Sequence, residues 1–203
     1  VSSTSVTSID LARVLWKPTI YRGTVAILFS LLGIFWVSHT PAVVLAVALG
    51  LLFLLWALIM WPVTRLTGLP QTLRTGITAA ALAWLVAGVM ALFVREPAAA
   101  AFIGAFGLIL GGGSELVAGV KERSLGRPAR DFSLTGGISA LGGVVLVLVA
   151  IGMGEKIDAH GIFGTCAMIV VLLGVHLLIA GLSYRSDSRK ADAAAAKPTE
   201  AGS

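Results

Sequence analysis

Long apolar runs broken by short polar clusters dominate the chain. Six runs approach or exceed the roughly 20 residues that a helix needs to cross about 30 Å of hydrocarbon. They occupy residues 20–38, 41–62, 76–94, 98–119, 135–153 and 159–183. The breaks carry turn or charge signals: His39-Thr40-Pro41, Arg65 to Arg74 with Gly68 and Pro70, Arg95-Glu96-Pro97, Lys121 to Asp131, and Gly154 to Asp158. Three breaks are tight and two are longer. The pattern predicts an all-α polytopic membrane protein of six transmembrane helices, arranged as three helical hairpins.

The flanks read differently. Residues 1–19 form a cytoplasmic segment in which Ser8 can cap a short helix that Pro18 ends. Ile9, Leu11, Ala12, Leu15 and Trp16 would give that helix an apolar face for the membrane surface. The first apolar run is too long for the core of a signal peptide and is expected to remain as an anchor. Arg22, near its start, is expected to snorkel to the interface. The tail, residues 186–203, is alanine-rich with mixed charges and is expected to be disordered.

Composition agrees. Of 203 residues, 57% are hydrophobic and only 12% charged, where soluble domains carry about 25% charged residues. Mean hydropathy is +0.96. A single cysteine, Cys166, excludes an internal disulfide. The net charge of +5 comes from scattered residues and does not point to nucleic acid.

The distribution of charge orients the spans. Thirteen of the 15 Lys and Arg residues fall in the N-terminal segment, the two longer linkers and the tail. Arg95 and Lys156 stand alone on the other side. Basic residues stay cytoplasmic, so both termini are expected inside, in the inner membrane of a bacterium. Trp16, Tyr21, Trp61 and Tyr184 then fall near the inner interface and Trp36 near the outer one.

An internal repeat underlies the spans, in units of residues 20–65, 74–123 and 133–185. Leu32-Gly33-Ile34, Ala87-Gly88-Val89 and Gly142-Gly143-Val144 recur every 55 residues, and Gly50, Gly107 and Gly164 every 57. Pro41 and Pro97 mark the first two outer turns, whereas the third has Gly152-Met153-Gly154. Each unit ends on a basic residue: Arg65, Arg123 and Arg185. Small residues let membrane helices approach closely, so Gly33, Gly88, Gly107, Gly111 and Gly143 are expected at helix–helix seams.

With Tyr21-Arg22-Gly23 opening the first helix, Leu31-Leu32-Gly33-Ile34 within it and Pro41 at the outer turn, the chain resembles the HdeD-like family. These are small bacterial membrane proteins of three two-helix repeats, and the likeness covers residues 15–185. The resemblance implies a role in acid resistance and brings no catalytic residues. The third repeat departs from the pattern by lacking the turn proline and by its acidic outer loop at Glu155 and Asp158.

Ionisable residues inside a span mark functional sites by default. Glu115 lies about 12 Å along the helix before Arg123, and His176 about 13.5 Å before Arg185. Their similar depth allows either a proton-sharing pair or separate roles. In the latter, Glu115 would snorkel toward Lys121 and His176 would bond a neighbouring helix. Gly111-Gly112-Gly113-Ser114 either breaks the fourth span to expose carbonyls for an ion or packs closely. Ser114 joins Glu115 and His176 as a candidate polar, proton-linked residue. Trp84, mid-span, is expected to pack. No metal-ligand spacing, phosphate loop or carboxylate pair appears, so no metal, cofactor or catalytic residue is expected. The linker from Lys121 to Arg130 is expected at anionic headgroups.

Three functions remain open: a non-enzymatic protein of acid or envelope stress tolerance, a small proton-linked transporter, and an accessory or assembly subunit of a membrane complex. The expected partners are the bilayer and either another membrane protein or a second copy, with no nucleic acid.

Overall fold

The computed structural model describes residues 7–35, 40–66 and 68–195. The expectations for Trp36, for His39 at the first break and for residues 196–203 of the tail fall outside them. Six α-helices make up the described residues: α1 (Ser8–Phe35), α2 (Ala42–Thr64), α3 (Gln71–Phe93), α4 (Pro97–Lys121), α5 (Arg127–Met153) and α6 (Ala159–Ala195). All six are long and apolar enough to cross a membrane. Short 3-10 turns at Arg123–Leu125 and Gly154–Lys156 lie between the last three. The helices run up and down and close into a ring in chain order, with α1 against α6.

The ring is apolar on its outside. Leu28, Leu58, Phe93, Leu141 and Leu172, from five different helices, are each more than 60% exposed. Inside stand Trp56, Trp84, Phe53 and Phe163 together with alanines and glycines. Helices that are apolar all round belong in lipid or in a large core.

The helix ends differ from expectation in three places. α1 is one continuous helix of 28 residues, with Pro18 inside it. A proline interior to a helix costs about 3 kcal/mol. Here Leu11, Ala12 and Leu15 are buried on the near side of Pro18, and the Thr19 hydroxyl donates to the Leu15 carbonyl at 2.7 Å. That burial holds the two halves in line. The cap is Thr7 rather than Ser8. Its hydroxyl accepts from the Asp10 N–H at 3.3 Å while the Asp10 carboxylate accepts from the Thr7 N–H at 3.1 Å, a reciprocal capping box.

At the other end of the chain α6 continues to Ala195, so residues 186–195 are helical rather than disordered. Residues 196–203 lie outside the described part. Alanine is the strongest helix former, and the extension packs on α1. Ser188 is buried, Arg13 pairs with Asp192, and the Arg185 guanidinium lies 5.5 Å from the Trp16 ring. α5 likewise begins at Arg127, eight residues before the expected span. Pro128 is buried in its first turn, where the missing N–H is harmless.

The most extensive seams are α1 with α6 and α4 with α5, followed by α2 with α3 and α3 with α4 at nearly equal extent. Glycine allows each. A Cβ at Gly33 would stand 2.7 Å from the Ala167 Cβ. At Gly88 it would stand 2.8 Å from Leu54 Cγ, and at Gly143 2.6 Å from Ile109 Cγ1. Each of the three glycines spaced by 55 residues therefore stands at a close contact with a neighbouring helix. The set Gly50, Gly107 and Gly164 does so only in part. Gly50 faces Leu92, Gly107 faces Phe53 and Ala87, and a Cβ at Gly164 would meet nothing within 4 Å. The residues facing the first set are Leu54, Ile109 and Ala167.

Candidate functional site

Arg22 is the residue on which the interior converges. It stands in register with Leu15 and Phe29, seven residues apart on the inward stripe of α1, and is only 3% exposed. It does not snorkel. Because α1 begins at Ser8, Arg22 lies near the middle of the helix rather than at its start.

Glu115 of α4 meets it. The Nη1 of Arg22 donates to Glu115 Oε1 at 2.6 Å, and Nη2 donates to Oε2 at 3.3 Å. The pairing is bidentate, the strong geometry for a guanidinium and a carboxylate. Both side chains are almost fully buried.

Two indoles hold the guanidinium. Its carbon lies 4.4 Å from the ring centre of Trp84 on α3 and 5.1 Å from that of Trp56 on α2. The two rings meet edge to face at 5.5 Å. Cation–π attraction grows when the cation is desolvated, as here. Trp56 also donates its Nε1–H to the Arg22 carbonyl at 3.2 Å. Gly111 makes the arrangement possible, since a Cβ there would collide with Trp84 Nε1. In this stretch α4 remains a continuous helix, so its glycines admit neighbours rather than free carbonyls.

Beside the pair lies a cavity of about 10 Å³, bordered by Arg22, Glu115, Thr135, Asp131 and Tyr184. That is close to the least volume that admits one water. Tyr184 donates to Asp131 Oδ2 at 2.7 Å. The polar groups thus run from the pair toward the end of the ring where α1 begins. Arg22 Nε and Trp84 Nε1 are buried without a hydrogen-bond partner.

The other sequence candidates stand apart from the pair. His176 of α6 is half-buried, its Nε2 has no partner, and it makes no hydrogen bond or ion pair with Glu115. Ser114 donates to the Leu110 carbonyl at 2.7 Å, within its own helix. His160 and Thr40 meet at 3.2 Å at the opposite end of the ring. Among the described residues no group of three or more His, Cys, Asp or Glu could hold a metal ion.

Sequence reasoning missed Arg22 as the partner of Glu115 and missed Asp131 and Tyr184 as neighbours of the pair. The Leu15–Arg22–Phe29 spacing was the available signal, because it sets Arg22 on the same face as two large apolar residues.

Six apolar helices closed around a buried ion pair define a multi-pass helical membrane protein. Comparison with known proteins gives no match, whether by protein family, among curated proteins or among solved structures.

Proposed function

We propose that the protein is a non-enzymatic membrane protein of the HdeD-like type, acting in acid or envelope stress tolerance in a bacterial inner membrane with both termini cytoplasmic. The observation that carries this reading is the Arg22–Glu115 pair at the centre of the ring. It ties the first and fourth helices together through buried charge. Loss of the Glu115 charge would leave Arg22 without its counterion, and an unpaired buried charge is strongly destabilising. The titratable groups facing the pair are Asp131 from α5 and Tyr184 from α6, whereas α2 and α3 present Trp56, Met60 and Trp84. The hairpin repeat supports the family likeness through the close contacts of Gly33, Gly88 and Gly143.

Survival after an acid shift tests the reading in a strain lacking the gene. Deletion is expected to lower survival, the wild-type gene to restore it, and Glu115→Gln to fail although the protein accumulates. Unchanged survival of the deletion strain across growth densities would overturn the proposal.

The water-sized cavity between the pair and Tyr184 favours a second reading, proton-linked permeation. Protein in liposomes would then carry a proton flux that Glu115→Gln abolishes, and absence of flux would return the pair to a purely conformational role.

A further inference from the structure

α3 and α4 touch closely at Gly76, where a Cβ would run into Ala118 and stand 3.0 Å from the Ser114 carbonyl. Outside this seam the two helices diverge and leave a groove of about 630 Å³. That volume lies within the range of about 300–1,000 Å³ typical of small-molecule sites. The groove opens on the outer, lipid-facing side of the ring. Its floor is left bare at Gly113, where a Cβ would meet nothing within 4 Å.

The groove is graded along its length. Toward the middle of the bundle it is apolar, with Ala79, Ile109 and Leu110. Toward the end where α3 begins and α4 finishes it offers Thr72, Thr75 and Lys121. No acidic side chain lines it. Among the described residues Lys121 makes no ion pair, and the Thr72 and Thr75 hydroxyls make no hydrogen bond. α3 also starts here, behind Pro70, without a side-chain cap, so free N–H groups add partial positive charge at the same end. The helix end alone would mean little. Combined with an open groove, a free ammonium and an apolar trough, it matches a molecule that is anionic at one end and hydrocarbon at the other. The order also matches depth in a bilayer, with the cation toward the headgroups.

We propose that this groove seats an anionic phospholipid. Its phosphate lies against Lys121, Thr72 and Thr75, and one acyl chain runs along Gly113, Ala79 and Leu110. The proposal needs only a membrane setting and is independent of the acid-stress reading.

Native mass spectrometry of the full chain in detergent tests it, with phosphatidylglycerol and phosphatidylcholine of identical acyl chains as probes. The wild type is expected to retain phosphatidylglycerol preferentially. Lys121→Gln should weaken that retention about fivefold, the weight of one basic residue near an anionic leaflet, and leave phosphatidylcholine unchanged. Gly113→Phe fills the trough without displacing a packed neighbour and should abolish the preference in a protein of unaltered thermal stability. Lys190→Gln, at another surface of the same end, should change nothing. Equal retention of both lipids by the wild type would overturn the proposal. So would unchanged retention in Lys121→Gln or Gly113→Phe, or recovery of a dimer in place of the lipid adduct.

Discussion

A guanidinium within a membrane-spanning bundle must gain from its neighbours what it loses from water. Arg22 does so through two hydrogen bonds to Glu115 and two indole faces. Trp84 is positioned by the absence of a side chain at Gly111, so this glycine belongs to the site although it touches no charge. Gly111→Val is therefore expected to cost about 1–3 kcal/mol, the usual range for overpacking, and to quench or shift Trp84 fluorescence. Unfolding in detergent with fluorescence detection measures both, and a variant matching the wild type in each would show that Trp84 does not rest on α4. Glu115 was legible in the sequence as an isolated charge in an apolar run. Arg22 was not, because the apolar run starts at residue 20 and an arginine so near a span end ordinarily reaches the headgroups. What hid it was the extent of α1, which depends on packing against α6 far along the chain.

At the level of elements, hydropathy located all six helices, since membrane spans carry the strongest local signal a sequence has. It failed at the ends, where partners decide. Leu11 and Leu15 carry α1 across Pro18 by packing in the core, and Ser188 shows α6 continuing past its apolar run. The Arg13–Asp192 pair joining these extensions is about half exposed. Exposed pairs contribute at most about 1 kcal/mol, so Asp192→Ala should leave the helix intact. Ser188→Pro should break it, because an interior proline costs about 3 kcal/mol. Far-UV circular dichroism separates the two. Helix loss in Asp192→Ala, or none in Ser188→Pro, would show that packing on α1 is not what sustains the extension.

The whole molecule is a ring whose seams are lined by glycine and whose centre is charged. α1 begins and α6 finishes at the same end of it. Introduced cysteines at Ser8 and Ser186, on a Cys166→Ser background, should therefore react with an impermeant thiol reagent from the same side of the membrane; opposite sidedness would contradict a six-helix crossing. The central claim is that one ion pair joins the first and fourth helices through the middle of this ring. A double-mutant cycle in detergent-solubilised protein tests it most directly. Arg22→Met and Glu115→Gln should each lower stability by about 3–5 kcal/mol, because each strands or discards a partner of a buried pair. The double variant should be no worse than either single one, since no unpaired charge remains. Losses that simply add would contradict the account, for they would mean that Arg22 and Glu115 are stabilised independently and the pair does not hold the ring together.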